Sequence, residues 1–309
     1  MTNNYPNLFI PGAAKSGTST LHDLLNLHPE ICMSSLKEPY FLINTDFDQN
    51  ISVYNDKYTE LFSQKSNATY RGDSSTAYML FPNFIERVKT HLKDEPKFIF
   101  VLRNPIDRIY SHYWYLKGLG SEDSNLKDAI KRDMNISPNM SHRLAEGKFK
   151  NYFQYGLYGK WISNFYKEFG ALQIKIIVFE DLRDHPLKVA NSCFEFLGLQ
   201  KLEQVPEMES NKTVLLKYPK LFQIISKITN GNVTFLKPIN RIIPRKFKQM
   251  VKKNSTEFLM QQIKSDSSYP KLAKEDRLWI KDLYLADINT LRDVTGDGFN
   301  QWSDFKLAE

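Results

Sequence analysis

The sequence has little cysteine and no long apolar run. Cys32 and Cys193 are the only cysteines among 309 residues, and neither stands in a CxxC pair or a Cys/His cluster. A disulfide framework and a structural zinc site are therefore not expected, and a reducing compartment fits best. No apolar run approaches the roughly 20 residues that a transmembrane helix requires. Because the first residues lead directly into an apolar strand, we expect no signal peptide or membrane anchor, and a cytoplasmic protein.

Acidic residues are missing from the stretch 212–256. Eleven of the 42 basic residues lie there. The rest of the chain has 31 basic and 35 acidic residues, so the net charge of +7 comes from this one stretch. We expect this stretch to form a helical lid that packs on the core. Two alternatives are a cleft lining for an anionic partner and peripheral contact with an anionic membrane through 214–253. No nucleic-acid-binding motif accompanies the charge, so nucleic acid is not expected as a partner.

Apolar runs alternate with helical patterns through most of the chain. Four runs have the composition of buried strands: 7–12, 69–75, 97–103 and 172–182. Helical patterns follow three of them: 18–28, 104–116 and 184–199. Such alternation is typical of a parallel sheet covered by helices on both faces. The expected fold is α/β, P-loop-like, with three layers around a central parallel sheet and a basic helical lid.

One domain over 1–309 is expected. Its parts are an α/β core, a basic lid and a C-terminal helical region, at 5–200, 201–272 and 273–309. In the last part, apolar residues recur at helical spacing over 274–294, which predicts an amphipathic helix packing on the core. Three stretches without a regular pattern are expected to be functional loops or lids: 43–68, 117–152 and 200–272.

The stretch FIPGAAKSGTST, residues 9–20, resembles a nucleotide-binding phosphate loop that lacks one lysine. In GxxxxGK[ST] loops a lysine follows the second glycine and reaches the β- and γ-phosphates. Here Gly12 and Gly17 keep the spacing, but Thr18 follows the second glycine. The lysine stands inside the loop as Lys15. Since a turn between a strand and a helix presents N–H groups to an anion, we expect it to bind a 5′-phosphate bearing one further group.

A second strand–helix junction, VLRNPIDRIYSHY, carries another pair of anion ligands. Arg103 ends a strand, and Ser111 follows two turns along the next helix, which Asn104 is expected to cap. An arginine fork with a hydroxyl suits a separate phosphate. Because parallel strands end at one edge of a sheet, the two junctions together indicate a nucleotide phosphorylated on both its 5′ and 3′ sides.

The two stretches PGAAKSGTSTL and LRNPIDRIYSHY together resemble the paired signature of sulfotransferases that use 3′-phosphoadenosine-5′-phosphosulfate (PAPS). Four further stretches are similar to the branch that includes heparan sulfate and bacterial carbohydrate sulfotransferases: KEPYFL, GDSSTAY, YGLYGKWISNF and FEFLGL. The resemblance covers about residues 7–213 and, again, residues 269–302.

The resemblance implies metal-free, in-line sulfuryl transfer from PAPS, with adenosine 3′,5′-bisphosphate (PAP) as the product. The acceptor would be a hydroxyl or amine of a carbohydrate or small metabolite. Lys15 would stabilise the leaving phosphate, Glu38 would act as the base, and Asp73 would face the acceptor. The nucleotide contacts implied by the resemblance are Lys15, Ser16, Gly17, Thr18, Ser19, Thr20, Arg103, Ser111, Tyr158 and Lys212. Some relatives carry lysine where this chain has Ser74, which leaves open whether the acceptor is the same sulfated polysaccharide.

Other interpretations stay open at this point. Glu38 could be a surface acid paired with Lys37, and Asp73 could belong to a simple turn. Arg108 could pair with Asp107 or Glu86 and is not assigned to the site. A histidine is the rival base, although none of the six histidines stands in a matching motif. The rival functions are a P-loop kinase, which the missing lysine opposes, and a non-catalytic protein that binds an adenosine bisphosphate or a sulfated glycan.

Overall fold

A central sheet of five parallel strands organises the chain. The computed structural model describes residues 5–92, 95–138, 143–144, 149–206, 215–216, 264–265 and 269–306. The strands are β1 Leu8–Phe9, β2 Ile31–Met33, β3 Tyr70–Asp73, β4 Lys97–Leu102 and β5 Ile174–Val178. Their order is β2-β3-β1-β4-β5, and every pairing is parallel. The predicted α/β fold around a parallel sheet is confirmed.

Helices connect and cover these strands. In the described parts of the chain they are α1 Thr18–Asn26, α2 Ile51–Glu60, α3 Pro82–His91, α4 Pro105–Gly118, α5 Leu126–Met134, α6 Tyr158–Phe169, α7 Phe179–Asp184, α8 Pro186–Phe196 and α9 Lys274–Thr295. Outside the sheet, β6 Leu215–Leu216 pairs antiparallel with β7 Lys264–Ser265.

Alternation along the strands divides the core into two layers. Leu8, Ile99 and Val101 belong to the apolar cluster that contains the buried faces of α1 and α8. Phe9 and Phe98 belong to the other cluster, which contains those of α3, α6 and α9. Successive strand residues point to opposite faces of a sheet, so a strand buried on both faces is apolar throughout. The three-layer architecture follows from this pattern.

Several elements differ from the sequence-based expectations. The stretches 43–68 and 117–152 were expected to be irregular but contain α2 and α5. The predicted strand 172–182 ends at Val178, where α7 begins with Glu180 and Asp181 in its first turn. Acidic side chains at this position stabilise a helix N-terminus, which explains the early switch. The elements β2, α3 and α6 were not predicted.

The C-terminal helix α9 packs on α6, as the apolar spacing predicts. Ile280, Tyr284, Ile288 and Leu291 on its inner face are fully buried. At the start of α6, Gly159 permits a very close approach, because an added Cβ would lie 2.3 Å from the carbonyl oxygen of Asp287. The Asp287 carboxylate accepts hydrogen bonds from the N–H groups of Gly159 and Lys160, each at 2.8 Å. One helix therefore caps the other.

A polar network joins α9 and the residues after it to the start of α4. The Arg277 guanidinium contacts Asp107 at 2.7 Å and Asp304 at 2.6 Å. Asp304 also accepts a hydrogen bond from the Asn104 side chain at 2.7 Å. Asn104 in turn caps α4, as predicted, by accepting from the N–H of Ile106 at 3.0 Å. The junction after β4 is thus held by residues more than 170 positions later in the chain.

The remaining global predictions have different outcomes. Cys32 and Cys193 are both buried and unpaired. None of the described helices has the length and apolar composition needed to cross a bilayer. Most of the basic lid 201–272 lies outside the described residues, as does its Lys212, so the lid and the domain division stay predictions.

Candidate active site

A cavity of about 400 Å³ opens at the carboxyl edge of the sheet. Loops after β1 and β4 and the segment after β2 converge there, which is where open α/β sheets bind ligands. Eight of the predicted site residues line it: Lys15, Gly17, Thr18, Ser19, Thr20, Glu38, Arg103 and Ser111. The sequence-predicted residues on three separate loops are therefore brought to one place.

The N-terminus of α1 faces this cavity without a side-chain cap. Gly17 precedes the helix with φ of 85°, a left-handed conformation that favours glycine. The N-cap residue Gly17 provides no side-chain cap, and the first turn contains no acidic residue. Its hydroxyl residues Thr18, Ser19 and Thr20 line the cavity. Uncapped N–H groups and hydroxyls at a helix N-terminus form a donor set that suits an oxyanion.

Lys15 lies directly before this helix on a left-handed backbone. Its φ is 67°, and its ammonium nitrogen lies 4.0 Å from the ring centroid of Tyr115 on α4. A cation over an aromatic face is attracted to the ring quadrupole, and this contact directs the ammonium across the cavity. The carbonyl of Lys15 accepts a hydrogen bond from the Arg103 guanidinium at 3.3 Å. The two cations are thus fixed relative to each other.

Arg103 is supported from two sides. Its guanidinium carbon lies 4.8 Å from the ring centroid of Phe179, the first residue of α7. Its carbonyl accepts a hydrogen bond from the Tyr158 hydroxyl at 2.9 Å. Ser111 lies two turns further along α4, buried but lining the same cavity. This pairing of guanidinium and hydroxyl is the arrangement expected for a second anionic group.

Glu38 brings a carboxylate to the cavity. Its backbone is left-handed, with φ of 57°, and so is that of Tyr40, with φ of 58°. The Thr76 hydroxyl donates to Glu38 Oε1 at 2.8 Å. Burial raises the pKa of Tyr40 and of Tyr155, and the Glu38 charge adds to both shifts. Both phenols stay neutral, which leaves Glu38 as the acidic side chain among the cavity-lining residues.

The family model of the sulfotransferase domain matches residues 5–228. This chain belongs to the sulfotransferase family. The predicted family is therefore confirmed, and so is the prediction that the protein is a transferase.

Individual relatives of this sulfotransferase show how far the likeness extends. Carbohydrate sulfotransferase 15 of Mus musculus is 24% identical over 259 residues, which cover 67% of this chain and 46% of that protein. Bifunctional heparan sulfate N-deacetylase/N-sulfotransferase 1 of Mus musculus is 28% identical over 203 residues, covering 63% and 22%. The chain thus spans less than half the length of these two curated relatives.

A solved sulfotransferase from Alicyclobacillus acidocaldarius has the same fold. It superposes with a TM-score of 0.65 and 22% identity, and the match covers 96% of this chain and 98% of that chain. The likeness supports the assignment of the three-layer architecture.

Three predicted residues of the sulfotransferase site, all within the described parts of the chain, do not line the cavity. Asp73, expected to face the acceptor, is fully buried at the end of β3 and bonded to hydroxyl groups of the core. Ser16 and Tyr158, expected to contact the nucleotide, are also fully buried, and Tyr158 instead supports the Arg103 carbonyl. Lys212 lies outside the described residues.

Other cavity residues were not predicted from the sequence as site residues: Lys37, Tyr40, Thr76, His112, Tyr115, Phe149, Phe179, Leu182, Arg183 and Pro186. Lys37 donates to the Thr18 hydroxyl at 3.4 Å. Its position next to Glu38 in the sequence could have identified it as a site residue. Phe179 and Leu182 reach the cavity only because α7 begins where a strand was expected.

Arg108 does not form the ion pair with Asp107 or Glu86 that the sequence suggested. It is fully buried, and its guanidinium donates to the carbonyl of Tyr152 and lies 3.5 Å from the His112 ring nitrogen. Asp107 pairs with Arg277 instead.

The charges of the cavity favour an anionic ligand. Among the described residues that line it, Lys15, Lys37, Arg103 and Arg183 are cationic, and Glu38 supplies the one carboxylate. In the parts of the chain that the structure describes, no three His, Cys, Asp or Glu side chains are grouped to hold a metal ion. The metal-free reaction itself stays a prediction.

Proposed function

We propose that this sulfotransferase transfers the sulfuryl group of PAPS to a hydroxyl or amine of a carbohydrate or small-metabolite acceptor. The observation that carries the proposal is the single cavity that joins an uncapped helix N-terminus, two fixed cations and one carboxylate. The names of the relatives, a carbohydrate sulfotransferase and an N-sulfotransferase, support both the acceptor class and the amine alternative.

The donor set fits the nucleotide. Residues Gly17 to Thr20 would hold the 5′-phosphosulfate at the N-terminus of α1, while Arg103 and Ser111 would hold the 3′-phosphate. When bound, PAPS supplies an activated sulfuryl group with a phosphate leaving group. Such transfers depend on positioning and on charge neutralisation more than on covalent chemistry by the protein.

Two side chains then act on protons and charge. The Glu38 carboxylate accepts the proton of the acceptor hydroxyl or amine, and the Thr76 hydroxyl keeps its Oε1 oriented. The Lys15 ammonium stabilises the negative charge that develops on the leaving phosphate. The cytoplasmic location remains part of this proposal, supported by the two unpaired cysteines.

Calorimetry with PAP tests the proposal most directly. We expect tight, saturable binding in the presence of EDTA, because the ligands of the cavity are N–H groups, hydroxyls and cations. A mass-spectrometric screen with PAPS and candidate acceptors then tests turnover. Indifference to PAP together with magnesium-dependent ATP turnover would support the kinase alternative. Binding of PAP without turnover of any acceptor would support the binding-protein alternative.

Arg103→Ala should weaken PAP binding about 10- to 100-fold, since a hydrogen bond to a charged group contributes about 1.5–3 kcal/mol. Adenosine 5′-phosphosulfate, which lacks the 3′-phosphate, should lose much less affinity. The measurement is calorimetric titration of both nucleotides into both proteins. Equal weakening of the two nucleotides would contradict the assignment of Arg103 to the 3′-phosphate.

A further inference from the structure

Asp73 ends β3 beneath the cavity and is surrounded by hydroxyl donors. The Tyr58 and Tyr78 hydroxyls donate to its Oδ2 at 2.5 and 2.8 Å, and the Ser75 hydroxyl donates to its Oδ1 at 2.7 Å. Burial raises the pKa of Asp73 to about 6, although these three hydrogen bonds act in the opposite direction. In its carboxylate form Asp73 accepts from all three groups.

Two of these donors also hold the segment that carries Glu38. The Ser75 oxygen accepts from the N–H of Tyr40 at 3.2 Å, and the Tyr78 oxygen accepts from the N–H of Leu42 at 3.3 Å. A hydroxyl has a single proton to donate. Because Asp73 takes that proton from both groups, their lone pairs are left to face the segment 38–42.

The same turn contacts Glu38 directly. The N–H of Glu38 donates to the carbonyl of Ser74 at 3.2 Å, and Thr76 donates to the Glu38 carboxylate at 2.8 Å. Residues 73–78 thus contact the segment 38–42 through four hydrogen bonds, two of which depend on hydroxyls oriented by Asp73.

This segment needs such support. Glu38 and Tyr40 both have positive φ, a conformation that is unfavourable for a non-glycine residue. Such a conformation persists only where its surroundings determine it. The loss of two hydrogen bonds to this segment would therefore weaken what holds it in place.

We propose that Asp73 is a positioning residue for the reaction, which orients the hydroxyls of Ser75 and Tyr78 so that they fix the segment 38–42 and the Glu38 carboxylate. The inference rests on the proposed function, in which Glu38 is the base. It replaces direct contact between Asp73 and the acceptor, because the carboxylate is fully buried and does not line the cavity.

The first test is Asp73→Asn, which keeps the volume but places an amide N–H where an acceptor is needed. We expect kcat to fall about 10²-fold, the cost of a small misplacement of a reacting group, with PAP affinity unchanged. In a Glu38→Gln background, Asp73→Asn should cause no further loss of kcat, because both substitutions act through the Glu38 carboxylate. Losses that multiply would overturn the proposal. The exposed Asp293→Asn on α9 is the matched control.

Two tyrosines distinguish positioning from plain stability. Tyr58→Phe and Tyr78→Phe each remove one hydroxyl that donates to Asp73 and keep the aromatic ring. Of these two hydroxyls, only that of Tyr78 is also seen to accept a hydrogen bond from the segment 38–42, from the N–H of Leu42. We expect both variants to lower Tm, and Tyr78→Phe to lower kcat more. Equal losses of kcat would contradict the proposal.

A readout that does not need turnover separates this inference from the proposed function. In a crystal structure of Asp73→Asn, or of Ser75→Ala should the first variant not fold, we expect the Glu38 carboxylate to have left Thr76. An unchanged segment 38–42 would overturn the inference whatever the rates. Failure of the native protein to bind PAP would instead refute the proposed function and leave this comparison valid.

Discussion

Glu38→Gln is expected to lower kcat about 10²- to 10⁴-fold, the contribution of a positioned general base. The amide keeps the size of the side chain and can still accept from Thr76, so the cavity should keep its shape. PAP affinity should stay the same, because the proposed phosphate ligands are Gly17 to Thr20, Arg103 and Ser111 and do not include Glu38. The measurement combines steady-state sulfation of an identified acceptor with calorimetric titration of PAP.

The matched control for this change is Glu203→Gln, which alters an exposed glutamate away from the cavity. It should behave like the native protein in both assays. Native turnover by the Glu38 variant would remove this residue from the mechanism. A joint loss of turnover and of PAP binding would instead indicate a general disruption of the cavity.

Lys15→Met is expected to lower kcat about 10²- to 10³-fold, the effect of removing one preorganised donor from developing charge. Methionine keeps an unbranched apolar stem against the ring of Tyr115, where the ammonium now lies 4.0 Å from the centroid. The lost charge matters most when the phosphate leaves, so PAP affinity should fall much less than kcat. Single-turnover kinetics under saturating PAPS measure the chemical step.

Lys188→Met, an exposed change on α8, is the control for the altered net charge. Equal losses in PAP affinity and in kcat for Lys15→Met would show that Lys15 binds the ground state and has no special role in the transfer.

The sequence alone was sufficient to predict those site residues whose positions follow from local backbone geometry. Lys15, Arg103 and Ser111 lie at strand–helix junctions, and parallel strands end at one edge of a sheet, so their convergence could be predicted without coordinates. Glu38 was different, because only the family resemblance indicated it. Its left-handed backbone and its contact with Thr76 depend on side chains far away in the chain.

The errors have a common physical origin in long-range packing. Asp73 was expected to face an acceptor, but Tyr58 from α2 covers it, and the stretch 43–68 showed no helical pattern. Tyr58 is the buried residue through which α2 contacts this carboxylate. Because α2 has mixed polarity and few buried positions, its sequence shows only a weak helical periodicity of apolar residues. In the same way, α7 was hidden within an apolar run that continues from β5.

The network from Asn104 through Asp304 to Arg277 has a consequence for biosynthesis. A ribosome adds about 5–20 residues per second, and the early part of a chain starts folding before the later part exists. Here the start of α4 gains Asp304 and Arg277 as partners only after residues 277–304 have been made. The contacts of the same junction with Tyr158 and Glu180 involve earlier residues, so the later partners are added to a turn that the growing chain can already hold.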